Sequence, residues 1–242
     1  MTTTTTTTTT AAVIGSTGLV GHSILQTLLD LDAYKKVYTI SRRAPKTTDP
    51  SSKLSAAIET DTSKWTSQLA GLSPLPSIIY SALGTTRAQA GGIANQWKID
   101  HDLNVELAKA SHASGIETFV FISSAGTRGF PSSMVPYSKM KNGVEDAIKS
   151  LGFKQAIILH PGFLIGHREE QHAVYPVLEG FSRGMRSLLG QRVQDMFAQE
   201  GEVVARAAVK AASLAAQGKA PAKYWVLEQS DIVRLGRDEW DL

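Results

Sequence analysis

The chain has 242 residues, 42% hydrophobic and 19% charged, which is enough apolar material for one sizeable core and excludes a chain disordered throughout. Its 25 Lys and Arg against 22 Asp and Glu leave a net charge of +3, too small an excess to mark a nucleic-acid binder, which needs clustered positive charge. Cysteine is absent, excluding disulfides, thiolate metal sites and a cysteine nucleophile, and no apolar run is long enough to span a bilayer.

Met1 and the threonines Thr2 to Thr10 form a low-complexity run with nothing to bury, so residues 1–10 read as a disordered tail and residues 11–242 as the folded domain. The first arginine is Arg42, so the start lacks the Arg-rich pattern of a cleaved mitochondrial presequence. Ala11 to Ile14 reads as a strand, followed by Gly15-Ser16-Thr17-Gly18-Leu19-Val20-Gly21 and a helix to about Asp30. Strands are expected at Val37 to Ile40, Ala56 to Ile58 and Ser77 to Leu83. A long helix then runs from about Gln96 to Ser114 and stops at Gly115. Thr118 to Ile122 is as apolar as a strand buried on both faces. A helix over about Tyr137 to Leu151 closes at Gly152, and Lys154 to Leu159 returns to strand. The last elements are a helix from Glu202 to Ala216 and a strand from Tyr224 to Leu227. This alternation predicts an α/β fold: a Rossmann-type doubly wound parallel sheet in a single domain, with residues from about 160 to 242 completing the substrate side.

Between Ala173 and Gln199 the periodicity blurs. Phe181, Met185, Leu188, Leu189, Met196 and Phe197 fall mostly on one helical face, which reads as an ordinary amphipathic element on the sheet or as a membrane-surface segment or lid. His167-Arg168-Glu169-Glu170 either lines a substrate mouth or is a plain charged loop. The other histidines show no metal-ligand spacing, so no metal site is expected.

The glycine turn follows a strand and opens a helix, the context a dinucleotide fingerprint requires. Gly15, Gly18 and Gly21 allow the tight turn and the close approach of backbone to a pyrophosphate, while the helix N-terminus offers unpaired N–H groups. At the end of the second strand an NAD enzyme usually carries Asp or Glu for the ribose hydroxyls. Here Ser41-Arg42-Arg43 stands instead, which suits the 2′-phosphate of NADP; the alternative is a pair of solvated loop charges. Tyr137-Ser138-Lys139-Met140-Lys141 has the form YxxxK, which places phenol and ammonium one helical turn apart. A phenol ordinarily titrates near 10, and a neighbouring ammonium favours its ionised form, fitting it for proton transfer. Ser124, thirteen residues earlier, falls just past the fifth strand, at the sheet edge where ligands bind in such folds. Asp100 and Asn104 either reach the cofactor side or play a capping or surface role.

Through the glycine turn, Ser124 and Tyr137-x-x-x-Lys141 the chain resembles the short-chain dehydrogenase/reductase superfamily. Gly84-Thr85-Thr86-Arg87, Phe121-Ile122-Ser123-Ser124-Ala125-Gly126 and His160-Pro161-Gly162 resemble its atypical branch that includes the Tat-interacting-protein-like oxidoreductases. Leu227-Glu228-Gln229-Ser230-Asp231-Ile232 resembles the fungal members, a family first catalogued in mitochondrial proteomes. The resemblance implies NADP binding through Gly15 to Gly21, Leu83 and Gly84, and an adenine-side contact from Asp61. It implies Ser124, Tyr137 and Lys141 as catalytic residues acting on a small carbonyl or alcohol substrate. His160 departs from the branch, which commonly has Arg there. Some members act as regulators, so an NADP-bound regulatory or scaffold protein is the alternative function. The fungal resemblance also implies peripheral attachment to the cytosolic face of the mitochondrial outer membrane, with a cytoplasmic location as the alternative.

Overall fold

The structure, a computed structural model, describes residues 9–47, 52–165 and 198–242. Seven parallel strands form one sheet: β1 (Thr9–Ile14), β2 (Tyr34–Ser41), β3 (Leu54–Ile58), β4 (Ile78–Ser81), β5 (Thr118–Ile122), β6 (Gln155–Leu159) and, last in the chain, β9 (Tyr224–Leu227). Their order is β3-β2-β1-β4-β5-β6-β9, so the winding reverses between β1 and β4 and opens a crevice at the carboxyl ends of those two strands. A separate parallel pair, β7 (Phe163–Ile165) with β8 (Ala198–Glu200), follows the end of β6.

Burial is continuous along the central strands because both faces of the sheet are covered, and successive side chains enter opposite cores. Ala11 and Val13 point to one core, and Ala12 and Ile14 to the other. The first core packs α1 (Leu19–Asp30) beside a later helix, Gly201–Ala216. Ala205, Ala208 and Ala212 of the latter are fully or almost fully buried, and their small side chains let the two helices lie close. The second core receives Trp65 and Leu69 of α2 (Trp65–Ala70). Beyond β4 come α3 (Arg87–Ala90) and α4 (Ile93–Trp97), then a π-helical turn (Lys98–Leu103) leading into α5 (Asn104–Ala113). Next in the chain is α6 (Pro136–Leu151); Leu107 of α5 and Val144 and Ile148 of α6 complete this layer. The helix Gly201–Ala216 is thus α7, and α8 (Gln229–Val233) follows β9.

Several boundaries differ from the expectation. The sheet starts at Thr9, because Thr9 and Thr10 pair with β2, so the last two threonines of the run belong to the fold. The expected single helix from Gln96 begins at Ile93 and widens to a π-turn. Helices α2 and α8 were not anticipated: each is short and lacks a full amphipathic repeat. The amphipathic stretch 173–199 lies almost wholly outside the described residues, as do His167 to Glu170. Among the described residues no helix is long and apolar enough to cross a membrane.

Candidate active site

The crevice is bounded first by the glycine turn. Gly15 has φ +84°, and a Cβ there would lie 2.7 Å from the carbonyl of Ala82, so the turn is pressed against the chain leaving β4. A Cβ on Gly21 would lie 2.1 Å from the Gly15 carbonyl oxygen; this glycine lets α1 start directly beneath the turn. Gly18 donates its N–H to the Gly15 carbonyl at 2.9 Å and stands at the N-cap of α1. Among the described residues no side chain caps that helix start, and its first turn carries no acid. Ser16 is fully buried, and its Oγ has no hydrogen-bond partner among the described residues. An uncapped helix start beside an orphaned hydroxyl fits the pyrophosphate of a dinucleotide, whose oxygens would serve both.

Arg42 and Arg43 stand exposed at the carboxyl end of β2, where the Ser41 hydroxyl donates to the Arg43 carbonyl at 2.7 Å and shapes the turn. Asp61 follows β3, but its carboxylate is engaged locally. It accepts from the Ser63 backbone N–H at 3.0 Å and hydroxyl at 2.6 Å, and those bonds hold it below the ordinary carboxylate range.

Leu83 and Gly84 form the loop after β4, and the structure explains how that loop is held. Asp100, 1% exposed, accepts the Thr85 N–H at 2.7 Å, while Gln96 donates to the Thr85 carbonyl at 3.1 Å and to Asp100. Asn104 is fully buried, accepts the Ser81 hydroxyl at 2.7 Å and donates to the carbonyls of Ile99, Asp100 and Leu83. The surface alternative for Asp100 and Asn104 is therefore excluded: both brace the floor of the crevice. Burial raises the Asp100 carboxyl, opposed by the positive charge of Lys141 and the bond from Thr85.

The second wall carries the expected reacting groups. Ser124 is half-buried just past β5, and the only bond its hydroxyl donates among the described residues is a long one, 3.5 Å, to the Ala125 carbonyl. Tyr137 lies in the first turn of α6 and is 39% exposed. Lys141, one turn on, is only 5% exposed. Its ammonium donates to the Ile122 carbonyl at 3.0 Å and sits 4.9 Å above the Phe121 ring. α6 thus delivers Lys141 to the end of β5, two residues before Ser124.

A polar cluster that sequence reasoning missed lies directly beside these groups. Glu145, 2% exposed by side chain and one turn beyond Lys141, accepts from the Ser123 hydroxyl and from Arg128 at 3.0 Å, and contacts His160 Nε2 at 3.0 Å. His160 Nδ1 lies 3.0 Å from Glu228. Burial alone would raise the Glu145 carboxyl and lower the His160 ring. The bonds from His160, Ser123 and Arg128 hold Glu145 below the ordinary glutamate value, and the two carboxylates hold His160 above the ordinary histidine value. The sequence offered Glu145 four residues beyond Lys141 and His160 before Pro161-Gly162; what it did not show is that the chain leaving β5 (Ser123, Arg128), β6 (His160) and β9 (Glu228) meets at this point.

Residues 11–187 match the model of the NAD dependent epimerase/dehydratase family, close to three quarters of the chain. The chain belongs to that family. Among curated proteins it is 59% identical over 228 residues to the mitochondrial protein FMP52 of Chaetomium globosum, covering 94% of this chain and 97% of that one. It is 60% identical over 231 residues to mitochondrial fmp-52 of Neurospora crassa, covering 95% and 96%. Among solved structures it is similar to MoeE5 in complex with UDP-glucose and NAD, with TM-score 0.66, 16% identity and coverage of 95% and 81%. It is likewise similar to a UDP-glucose 4-epimerase of Thermotoga maritima, with TM-score 0.64, 15% identity and coverage of 96% and 84%. The likeness to these structures shows the fold, which in this chain is a single-domain α/β unit with a parallel seven-stranded sheet.

Proposed function

We propose that this protein is an NADP(H)-dependent oxidoreductase of the short-chain type that reduces a small carbonyl compound or oxidises the corresponding alcohol. The observation that carries the reading is Lys141. A buried ammonium has three donors to satisfy, yet among the described residues this one, a helical turn beyond Tyr137, makes a single hydrogen bond, to the Ile122 carbonyl two residues before Ser124. The remaining donors suit ribose hydroxyls. A bound dinucleotide would supply the hydride for reduction and take it up in oxidation. Tyr137 gives a proton to the substrate oxygen in reduction and takes one in oxidation, and the Ser124 hydroxyl donates to the same oxygen and fixes its position. Arg42 and Arg43 hold the 2′-phosphate, and Asp61 marks the adenine side.

Screening the purified protein for NADPH oxidation against aldehydes, ketones and quinones tests this. Tyr137→Phe should cut turnover by about 10²–10⁴-fold while NADPH affinity stays unchanged. Undiminished turnover in that variant would overturn the role of Tyr137. NADPH binding without turnover of any compound would favour the regulatory reading.

The relatives named mitochondrial support a mitochondrial location. We place the protein peripherally on the cytosolic face of the outer membrane, within the branch that includes the Tat-interacting-protein-like oxidoreductases. Carbonate washing of mitochondria should release it, and retention in the pellet would contradict peripheral attachment.

A further inference from the structure

The segment that carries Ser124 is strapped to the chain around His160. Ser123 donates its N–H to the Leu159 carbonyl at 2.9 Å and Ala125 donates to the Pro161 carbonyl at 2.8 Å. Between them, His160 donates its own N–H to the Leu227 carbonyl at 2.8 Å. The side chains then tie this edge to α6: the Ser123 hydroxyl and His160 Nε2 meet the same oxygen of Glu145, which shares its helix with Tyr137 and Lys141. On the other side of the ring, Nδ1 lies 3.0 Å from Glu228, the N-cap of α8.

Both ring nitrogens therefore face carboxylate acceptors. A neutral imidazole has one N–H and one lone pair, and it would set that lone pair against one of the two carboxylates. Only the imidazolium satisfies both contacts. We propose that His160, as an imidazolium, is a positioning residue that locks the Ser124 segment to the helix carrying Tyr137 and Lys141, and that this alignment loosens when the ring loses a proton. The catalytic consequence rests on the reading of Ser124 and Tyr137 given above; the clamp itself does not.

The charges around the ring agree. Glu145 and Asp146 approach from α6, Glu228 and Asp231 from the start of α8, and Tyr224 stands on β9. Arg128 bridges Glu145 and Asp146 at 3.0 and 2.8 Å, and Arg234 pairs with Asp231 at 3.2 Å. The two carboxylates in contact with the ring favour its charged form. The ring is held above its ordinary 6.5 and releases a proton as pH rises through that raised value.

Two arms test the clamp. In the first, the histidine rings of labelled full-length protein are titrated by NMR, with the His160 signal assigned by its loss in His160→Gln. His160 should titrate above the ordinary histidine value, and Glu228→Gln should move it down. Titration at or below the ordinary value, unmoved by Glu228→Gln, would overturn the imidazolium clamp even in a protein without detectable turnover. In the second, turnover of a carbonyl compound found in the NADPH screen should fall several-fold across the pH range of the NMR titration, with NADPH affinity constant. Glu228→Gln should shift that fall in step with the ring. His160→Arg, a cation that does not titrate in this range, should flatten it, and His160→Gln should be slow at every pH. A pH profile of turnover that ignores Glu228→Gln and His160→Arg would overturn the positioning role.

Discussion

Arg42 and Arg43 end β2 where a carboxylate would repel a 2′-phosphate, and a guanidinium instead presents paired donors matched to phosphate oxygens. Hydrogen bonds to charged groups contribute about 1.5–3 kcal/mol each; at this exposed edge solvent trims that to roughly tenfold to hundredfold discrimination. Replacing both by alanine should weaken NADPH by that factor and leave NADH nearly unchanged, as read by fluorescence titration. The position of this pair at the end of β2 was legible in the sequence, because the strand before it could be read; its part in phosphate binding is the proposal that the titration tests. Tyr137 and Lys141 were legible for a similar reason, since spacing alone fixes them on one helical face. His160 was not. Its role comes from Glu145 and Glu228, 15 and 68 residues away in sequence, and only the sheet order brings the three together. Asp100 and Asn104 stood open between cofactor side and surface because helical periodicity says which residues share a face, not which face turns inward.

At the scale of elements, the start of α1 separates two kinds of glycine. Gly18 has φ −86°, and its added Cβ would meet only the Gly15 oxygen at 3.3 Å, so Gly18→Ala should fold nearly normally and weaken NADPH binding where the phosphate approaches. Gly21 has no such room: an added Cβ would meet the Gly15 carbonyl oxygen at 2.1 Å, and that backbone carbonyl cannot swing aside as the end of a flexible side chain could. Gly21→Ala should cost about 1–3 kcal/mol in overpacking and lower the thermal midpoint by several degrees. Thermal unfolding of both variants, paired with NADPH titration, separates the two effects. The helical stretch from Ile93 to Ala113 shows what periodicity cannot resolve. Its π-turn widens the ladder at Lys98–Leu103, and Asn104 supplies donors to the carbonyls of Ile99 and Asp100. The helix was legible; the widened turn depends on a buried amide whose partners lie on β4 and in its loop.

Across the whole molecule, the alternation of strands and helices foretold the parallel sheet, and the reversal between β1 and β4 puts the glycine turn, the Leu83-Gly84 loop and the β5 edge around one crevice. The polar cluster at the end of β5 and β6 ties the rim of that crevice to global stability. The Glu145 carboxyl is held below its ordinary 4.5 despite burial, so its stabilising effect is complete above that pH and is lost as pH falls through its depressed value. Thermal midpoints should therefore drop on the acid side below about pH 4.5, and Glu145→Gln should flatten that limb while lowering stability at neutral pH. An acid limb of unchanged steepness in the variant would assign it to other carboxylates.

The most direct test of a crevice built for NADP(H) is calorimetric titration of the purified, unmodified protein with NADPH and with NADH under identical salt. The expected result is saturable one-to-one binding of NADPH, with a Kd about tenfold or more below that of NADH. Equal affinity for the two would contradict the role given to Arg42 and Arg43, and no binding of either would contradict the site itself.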